Sequence, residues 1–591
     1  MAKFNSLLAN DFYKTTHLMQ FHPEIATLTS YLTPRGSRLS TTDKMIWFGI
    51  QGFIQKYLVE DFRDNFFNKS FTEIADEFHE CLERGLGYSR ERVDETLVKI
   101  KELHELGYLP VEINALPEGT IVPMGVPALE IRTTKPGFAW AGQALESLLS
   151  CSIWHPCVSA TVAYEYAKIA KAAFNKTVED NISWKTAMCD FSLRGQESHE
   201  SAVASSAAWL TCFYNSSTVD ARAYVKFNYN DAKADYDKLK IGGLTSTEHS
   251  VMTSDYALLG DERETYRRLL TEVYPDVSFA AVCDSYDFWG VVTEILPSLR
   301  EEIEAHEGFL GVRHDSAEPV EALCGIETIK IDLTYLDLNY DRYENELEEN
   351  IELYLNAVYG GSLFDKKIRF IIKTNIGTFD RIYEVISTGH ISSGTYEPYT
   401  THNINYVRET TYQDKGMVET LYELFGGTTN SKGYKVINPK LKAVYGDSIT
   451  IPRARAIYER LEDKGFAANN VSLGVGSFSM EAIEENGELK PFTRDTFSIA
   501  IKATHGTTFD GREIVIYKDP KGFSQKKSLK GLCVPINDGQ ETYVVQKLNE
   551  GQRDALSEQT EFINYFREDT INPYITFGKI RERIDNNLME E

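Results

Sequence analysis

Apolar positions along the chain change period three times. Early on, Ile50, Phe53, Ile54, Tyr57 and Leu58 keep the i, i+3, i+4, i+7, i+8 spacing of an amphipathic helix. Asn10-Asp11 reads as a helix start, and 26–32 alternates as a strand that stops at Thr33-Pro34-Arg35-Gly36. Residues 73–86 and 91–106 read as helices, the second halted by Gly107 and Pro110. Residues 111–131 are β-rich but broken by prolines, so this first region mixes helices with an antiparallel sheet. From Trp140 onward helices such as 159–174 alternate with short apolar strands near Phe279, Gly311 and Lys442. That is the β/α rhythm of a barrel or an open parallel sheet. Between 325 and 411 the rhythm lapses into a Tyr-, Asn-, Asp- and Glu-rich stretch. It has its own helix face (Leu347, Ile351, Tyr354, Leu355, Val358) and its own strand, 367–374, which predicts a small packed insertion. The alternation then resumes at 443–448 and 472–477.

Polar side chains gather where the apolar strands stop. Thr247-Glu248-His249-Ser250 precedes the strand 279–282, which runs into Cys283-Asp284-Ser285-Tyr286-Asp287; a second strand end reads Gly311-Val312-Arg313-His314-Asp315-Ser316-Ala317. In alternating β/α folds such positions meet at one mouth. A base, a cation and acids there suggest a pocket for a metal-bound polyphosphate. Taken singly, His249, the Asp284/Asp287 pair and Gly474-Val475-Gly476 are ordinary structural residues. Their meaning comes from the combination.

Charge narrows the partners. The 591-residue chain carries a formal net charge of −26, which opposes long-range attraction to nucleic acid or an anionic membrane. Cations concentrate instead near one glycine loop, Gly474-Val475-Gly476-Ser477, followed by Arg494, Lys502, Lys518 and the group Lys521, Lys526, Lys527, Lys530. That is where a phosphate is expected. The last group reads as a solvated loop outside the site. Eight scattered Cys without a CxxC pair argue against a zinc site or a disulfide framework, and Cys189 and Cys283 read as buried small apolar residues. With no apolar leader and no stretch able to span a bilayer, a cytoplasmic location is expected (host cytoplasm if the source is a phage).

Several motifs, in order and at the right intervals, carry a resemblance. They are Leu7-Leu8-Ala9-Asn10-Asp11-Phe12-Tyr13-Lys14, Asp190-Phe191-Ser192-Leu193-Arg194-Gly195, Glu248-His249-Ser250, Asp284-Ser285-Tyr286-Asp287, Asn430-Ser431-Lys432-Gly433-Tyr434-Lys435, Thr493-Arg494-Asp495 and Lys518-Asp519-Pro520. The chain resembles the nicotinamide phosphoribosyltransferase family, outside 326–411, along nearly its whole length. The resemblance implies an irregular α/β barrel of the type II phosphoribosyltransferase kind (151–509, with 326–411 inserted) plus an α+β domain built from both chain ends (1–150 with 510–591). It implies a homodimer with shared sites that joins nicotinamide to C1 of phosphoribosyl pyrophosphate, giving nicotinamide mononucleotide and pyrophosphate. Mg²⁺ is expected near Asp284 and Asp315, held mainly through the donor. ATP coupling is expected through phosphorylation of His249. Phe191 and the partner-side Tyr13 would stack on the pyridine, with Arg313 and Ser217 at its carboxamide. Arg194, His249, Asp284 and Asp315 would serve the pyrophosphate. Glu248, Gly446, Asp447, Gly476, Ser477, Arg494, Lys502 and Lys518 would bind the donor, with Asp11 and Arg35 contributed across the interface beside Tyr13.

Departures cluster in the same places. Ser217 stands where the family's usual Asp senses the carboxamide, which opens nicotinate as the base. Cys189, His314, Ala317 and Ser448 replace the usual His, Pro, Gly and Gly, and 482–489 is an extra segment before Arg494. Two enlargements near the phosphate end suggest a rival donor, ADP-ribose pyrophosphate, which some phage relatives use to make NAD directly. A non-catalytic nucleotide-binding relative is the third reading.

Overall fold

The computed structural model describes residues 4–180, 182–229, 238–338, 343–359, 365–391, 398–485, 488–521, 527–572 and 575–590. Parts of the expected insertion, the middle of the extra segment and Lys526 therefore lie outside the described residues. The chain divides into two compact units: residues 1–168, 189–243 and 476–591, and residues 169–188 and 244–475.

The first unit is organised on a seven-stranded sheet in the order Glu513–Val515, Ala500–Thr508, Ile25–Thr33, Leu129–Thr133, Val111–Ala115, Ile563–Arg567, Thr570–Ile571. Its pairings are antiparallel and join both chain ends. The helices expected at 73–86 and 91–106 are Phe71–Leu86 and Arg90–Leu106. They start early because Ser70 and Ser89 accept the N–H groups of Glu73 and Arg92 as N-caps. The start expected at Asn10-Asp11 is only a short 3₁₀ turn, Phe12–Thr16; Asp11 makes no side-chain cap bond, and the turn ends in a single helical turn, His17–Gln20.

The second unit holds α1 (His249–Leu259), β1 (Phe279–Val282), β2 (Leu310–His314), α2 (Pro319–Cys324), α3 (Tyr343–Val358), α4 (Met417–Phe425), β3 (Leu441–Tyr445), α5 (Ile451–Asp463) and β4 (Val471–Val475). Strands β1 to β4 pair in parallel, each beside the next. The apolar runs near Phe279, Gly311 and Lys442 are therefore strands buried on both faces, as parallel sheets require.

Residues 326–411 form a second sheet: Thr328–Leu333, Lys366–Thr374, Gly377–Ile391 and Pro398–Glu409, in that order. Leu347, Ile351 and Leu355 of α3 pack on Ile368, Phe370, Ile372, Tyr383 and Val385. Val358, expected on the same face, is 57% exposed in the last turn. This sheet is not an outgrowth of the Asp315 strand end. After His314 the chain turns into α2, which carries it back toward the other end of the parallel strands. There Arg460, in the last turn of α5, donates to the Gly325 carbonyl at 2.9 Å, and Lys464 donates to the Lys415 carbonyl at 3.0 Å. Entry and exit meet at two glycines, Gly325 (φ 73°) and Gly416 (φ 82°). A Cβ on Gly416 would lie 2.1 Å from the Gly325 nitrogen, so neither position accepts a side chain. The root thus sits at the N-terminal end of the parallel strands, opposite the residues read as chemical.

The anchor of this sheet is Arg369, 2% exposed, bidentate to Asp380 at 2.7 and 2.6 Å and bonded to Glu419 of α4 at 2.8 Å. Replacing it by Ala strips Asp380 of its bidentate cation and leaves Glu419 with Lys464 alone, at 3.2 Å. We expect Arg369→Ala to cost about 3–5 kcal/mol, read as a lowered denaturant midpoint and faster proteolysis within 326–411; an unchanged midpoint would refute the anchoring role. Two strand-end turns hold non-glycine residues in the left-handed region, Ala317 at φ 77° and Ser448 at φ 57°. Glycine relieves roughly 1 kcal/mol of backbone strain there. Ala317→Gly and Ser448→Gly should each therefore raise the thermal midpoint slightly, and a fall would show that the side chain, not the backbone, fixes the turn.

Candidate functional site

In the second unit the chemistry is gathered around one carboxylate. Asp284 follows β1, and its side chain is 4% exposed. Its Oδ2 accepts the Asp315 N–H at 3.0 Å, the Ser316 N–H at 2.9 Å and the Ser316 hydroxyl at 2.7 Å. Its Oδ1 meets the His249 Nε2 at 3.2 Å. Burial pushes the Asp284 carboxyl up, but the Ser316 hydroxyl, the Asp315 N–H and the imidazoles of His314 and His249 outweigh it and hold it below the usual range. Asp284 thereby ties the turn after β2 to the start of α1. His249 stays half-exposed at the first position of that helix. Thr247 fixes the approach: its N–H donates to the Ala280 carbonyl at 2.9 Å and its Oγ accepts the Val282 N–H at 3.0 Å. Glu248, exposed, accepts the Ser250 hydroxyl.

Arg313 and Asp315 form a bidentate pair, Nε–Oδ1 2.8 Å and Nη2–Oδ2 2.6 Å, and Arg313 Nη1 also reaches the Ser246 hydroxyl at 3.1 Å. Gly446 is required here: a Cβ would lie 2.2 Å from Asp315 Oδ1 and 2.5 Å from Arg313 Nε. Asp447 follows it, exposed, with Oδ1 accepting the Ser448 N–H at 2.7 Å. Tyr445 donates to the Ala317 carbonyl at 2.6 Å and so holds the turn from behind. His314 is buried between Phe288 (centroids 3.9 Å) and Tyr445 (5.9 Å). Burial pushes its pKa down, and Nδ1 accepts the Ser316 N–H at 3.0 Å, so the ring is neutral and structural.

In the first unit Asp190 is fully buried and binds the Ser192 N–H at 2.9 Å and the Ser216 hydroxyl at 2.7 Å. Ser217 spends its N–H (2.8 Å) and its hydroxyl (2.9 Å) on the Asp190 carbonyl. Phe191, the next residue, is half-buried. The exposed Arg194-Gly195 turn lies against the loop Gly476-Ser477, where a Cβ on Gly195 would meet Ser477 Oγ at 2.1 Å.

An open cleft of about 550 Å³ gathers Asp11, Tyr13, Lys14, Glu146, Ser147, Cys151 and Arg494. Glu146 pairs with Lys14 and lies 3.4 Å from Lys502 Nζ, and Asp11 accepts the Ser147 hydroxyl at 2.6 Å. Arg35 donates from Nε to the Ser498 carbonyl at 3.0 Å; burial, then the neighbouring Arg494, press its pKa down. Lys14 and Arg494 thus line the cleft, with Lys502 joined to it through Glu146 and Arg35 beside Arg494. Lys518 lies in an exposed loop closed by Ser528, and among the described residues no contact joins it to this cleft. Sequence reasoning did not single out Glu146, Ser147, Ser316 or Tyr445. Ser316 and Tyr445 lie within strand ends already noted but carry no mark of their contacts, and Glu146 and Ser147 have no local motif, the Glu146 partner Lys502 lying 356 positions away. Among the described residues no three His, Cys, Asp or Glu side chains form a ready metal cage.

With this geometry stand the comparisons. The model of the nicotinate phosphoribosyltransferase (NAPRTase) family matches residues 186–377 and 393–559, and that of the nicotinamide phosphoribosyltransferase N-terminal domain matches 5–80. Much of 326–411 thus falls inside the matched span. A protein named nicotinamide phosphoribosyltransferase in Acinetobacter baylyi is 30% identical over 99% of this chain and 98% of its own length. One of the same name in Xanthomonas campestris is 26% identical over 90% of this chain and 88% of its own length. The crystal structure of nicotinate-nucleotide pyrophosphorylase from Pyrococcus furiosus shares the fold, with a TM-score of 0.50, 11% identity and coverage of 100% of this chain and 97% of that one. The chain belongs to the nicotinate phosphoribosyltransferase family and is a phosphoribosyltransferase.

Proposed function

We propose that this enzyme works in NAD salvage, joining the ring nitrogen of nicotinamide to C1 of phosphoribosyl pyrophosphate and releasing nicotinamide mononucleotide and pyrophosphate. The observation that carries this is the end-to-end likeness to the Acinetobacter baylyi nicotinamide phosphoribosyltransferase. Breaking the C1–O bond builds positive charge on the ribose and negative charge on the leaving pyrophosphate. The nucleophile is a neutral ring nitrogen, so positioning replaces a general base.

In the first unit Phe191 takes one face of the pyridine, and Ser217 fixes the strand end beside it through the Asp190 carbonyl. Tyr13 takes a pyridine face in the other subunit of a homodimer; its 60% exposure suits a ring whose partner comes from elsewhere. Arg35, Arg494 and Lys502 take the donor phosphate, with Asp11 beside them, and Arg194, Gly476 and Ser477 line its other phosphates. In the second unit Arg313 is held rigid by Asp315 to meet the carboxamide, and Glu248, Gly446 and Asp447 face the ribose. Asp284 acts by positioning His249 and the Asp315 turn. Mg²⁺ arriving on the pyrophosphate would neutralise the leaving group, and Asp315 and Asp447 would hold it there. His249 keeps one ring nitrogen on Asp284 and stays half-exposed, which suits a phosphoryl acceptor for ATP coupling. The root of 326–411 at the far end of the parallel strands removes one of the two physical reasons for a larger donor.

Mass analysis of products decides among donors and bases. Nicotinamide with phosphoribosyl pyrophosphate should give the mononucleotide; NAD formed only from ADP-ribose pyrophosphate, or turnover of nicotinate alone, would overturn the assignment. Arg494 is half-exposed, so Arg494→Ala should raise the donor KM about 10- to 100-fold, the cost of roughly 1.5–3 kcal/mol of charge-assisted bonding. The nicotinamide KM should hardly move, and equal changes in both would displace Arg494 from the phosphate.

A further inference from the structure

Between the Gly476-Ser477 loop and Arg494 the chain makes a detour. Ala482–Glu485 and Glu488–Pro491 pair antiparallel, with Glu485 opposite Glu488. Ala482 and Ile483 of the first strand are buried, whereas the second strand is exposed throughout. The contact at its outer end is polar. Glu485 Oε1 accepts the Ser40 N–H at 2.8 Å and the Ser40 hydroxyl at 2.5 Å, and Oε2 accepts Lys490 Nζ at 2.8 Å. Lys490 and then Ser40 hold this carboxyl down at about 2, so it is ionised across the working pH range.

Ser40 closes the segment that starts at Arg35. The near end of that segment is laced to the turn after Arg494. The Arg35 N–H donates to the Phe497 carbonyl at 3.0 Å and the Arg38 N–H to the Thr496 carbonyl at 2.8 Å. Ser498, in the left-handed region at φ 49°, supplies the carbonyl for Arg35 Nε. Arg35 is therefore kept close to Arg494, a like charge. Two such cations repel until an anion joins them. Three bonds at the near end hold Arg35 against that repulsion; a second tie at Ser40 keeps residues 36–40 from peeling away and taking those bonds with them, so that binding need not order the segment again.

We propose that the hairpin is a brace, and that Glu485, through Ser40, is a positioning residue that keeps Arg35 beside Arg494 so that the phosphate site exists before the donor arrives. This rests on the proposed function, in which the two arginines bind the donor phosphate. Glu485 does not touch the donor. It acts by preorganisation, and its effect must pass through Arg35.

Steady-state kinetics of the full-length enzyme test it. Glu485→Ala should raise the KM for phosphoribosyl pyrophosphate about tenfold, with the nicotinamide KM and kcat within about threefold of the parent. In an Arg35→Ala background the same change should add nothing, because the group it positions is gone. Ser40→Ala removes the hydroxyl bond alone and should raise the donor KM about threefold; it keeps the test available if Glu485→Ala does not fold. Losses from Glu485→Ala and Arg35→Ala that multiply, or equal rises in both KM values, overturn the brace while the transferase assignment stands. Arg35→Ala and Arg494→Ala that leave the donor KM unchanged would overturn the phosphate reading itself, and the brace with it.

Discussion

A buried carboxylate must find donors, and in the second unit that need organises the chemistry. Asp284 draws in two N–H groups and a hydroxyl from the turn after β2 and one imidazole from the head of α1. Asp284 thus gathers groups that end a strand and start a helix onto one carboxylate. The arrangement fixes where Arg313, Asp315 and His249 stand without asking Asp284 to meet a ligand. Removing the carboxylate would release the turn and the helix start together.

The first unit meets a different constraint. The chain is strongly acidic, yet it must hold a polyanion. It does so by keeping cations in small groups already met by carboxylates, Lys14 and Lys502 with Glu146, or by backbone carbonyls, as for Arg35. Glu146 spares the lysines the cost of mutual repulsion when no anion is present. The charged residues lining the cleft, Asp11 and Glu146 against Lys14 and Arg494, balance, so the cleft does not share the chain's net negative charge.

Much of this was legible in the sequence, for physical reasons that differ by element. The parallel strands announced themselves as apolar runs ending in polar residues, and the helices Phe71–Leu86 and Arg90–Leu106 were legible except for their first turns, which the Ser70 and Ser89 caps extend by two residues and one. The face Leu347, Ile351, Leu355 read correctly because 3.6-residue periodicity survives any tertiary context. The motif residues around Asp284 and Arg313 do lie together in the second unit. What could not be read was direction. Residues 326–411 follow Asp315 closely in sequence, but the six residues of α2 carry the chain to the other end of the strands. Nor could Glu146 be found, since nothing local marks a carboxylate whose cation lies 356 positions away. Ala317 and Ser448 looked like losses of function in sequence; in space they are glycine turns kept in shape by other residues.

The two-glycine neck has a further consequence. A segment whose ends touch closes its own loop, so the chain that carries it gains almost no entropy when the segment is lengthened, shortened or exchanged. Its core is its own, and its sheet is completed without borrowing a strand from the parallel set. Such a module can drift in sequence or acquire a task of its own at a pace unrelated to that of the catalytic strands. Variation among relatives should then collect beyond Gly325 and before Gly416, while the neck itself stays bare of side chains.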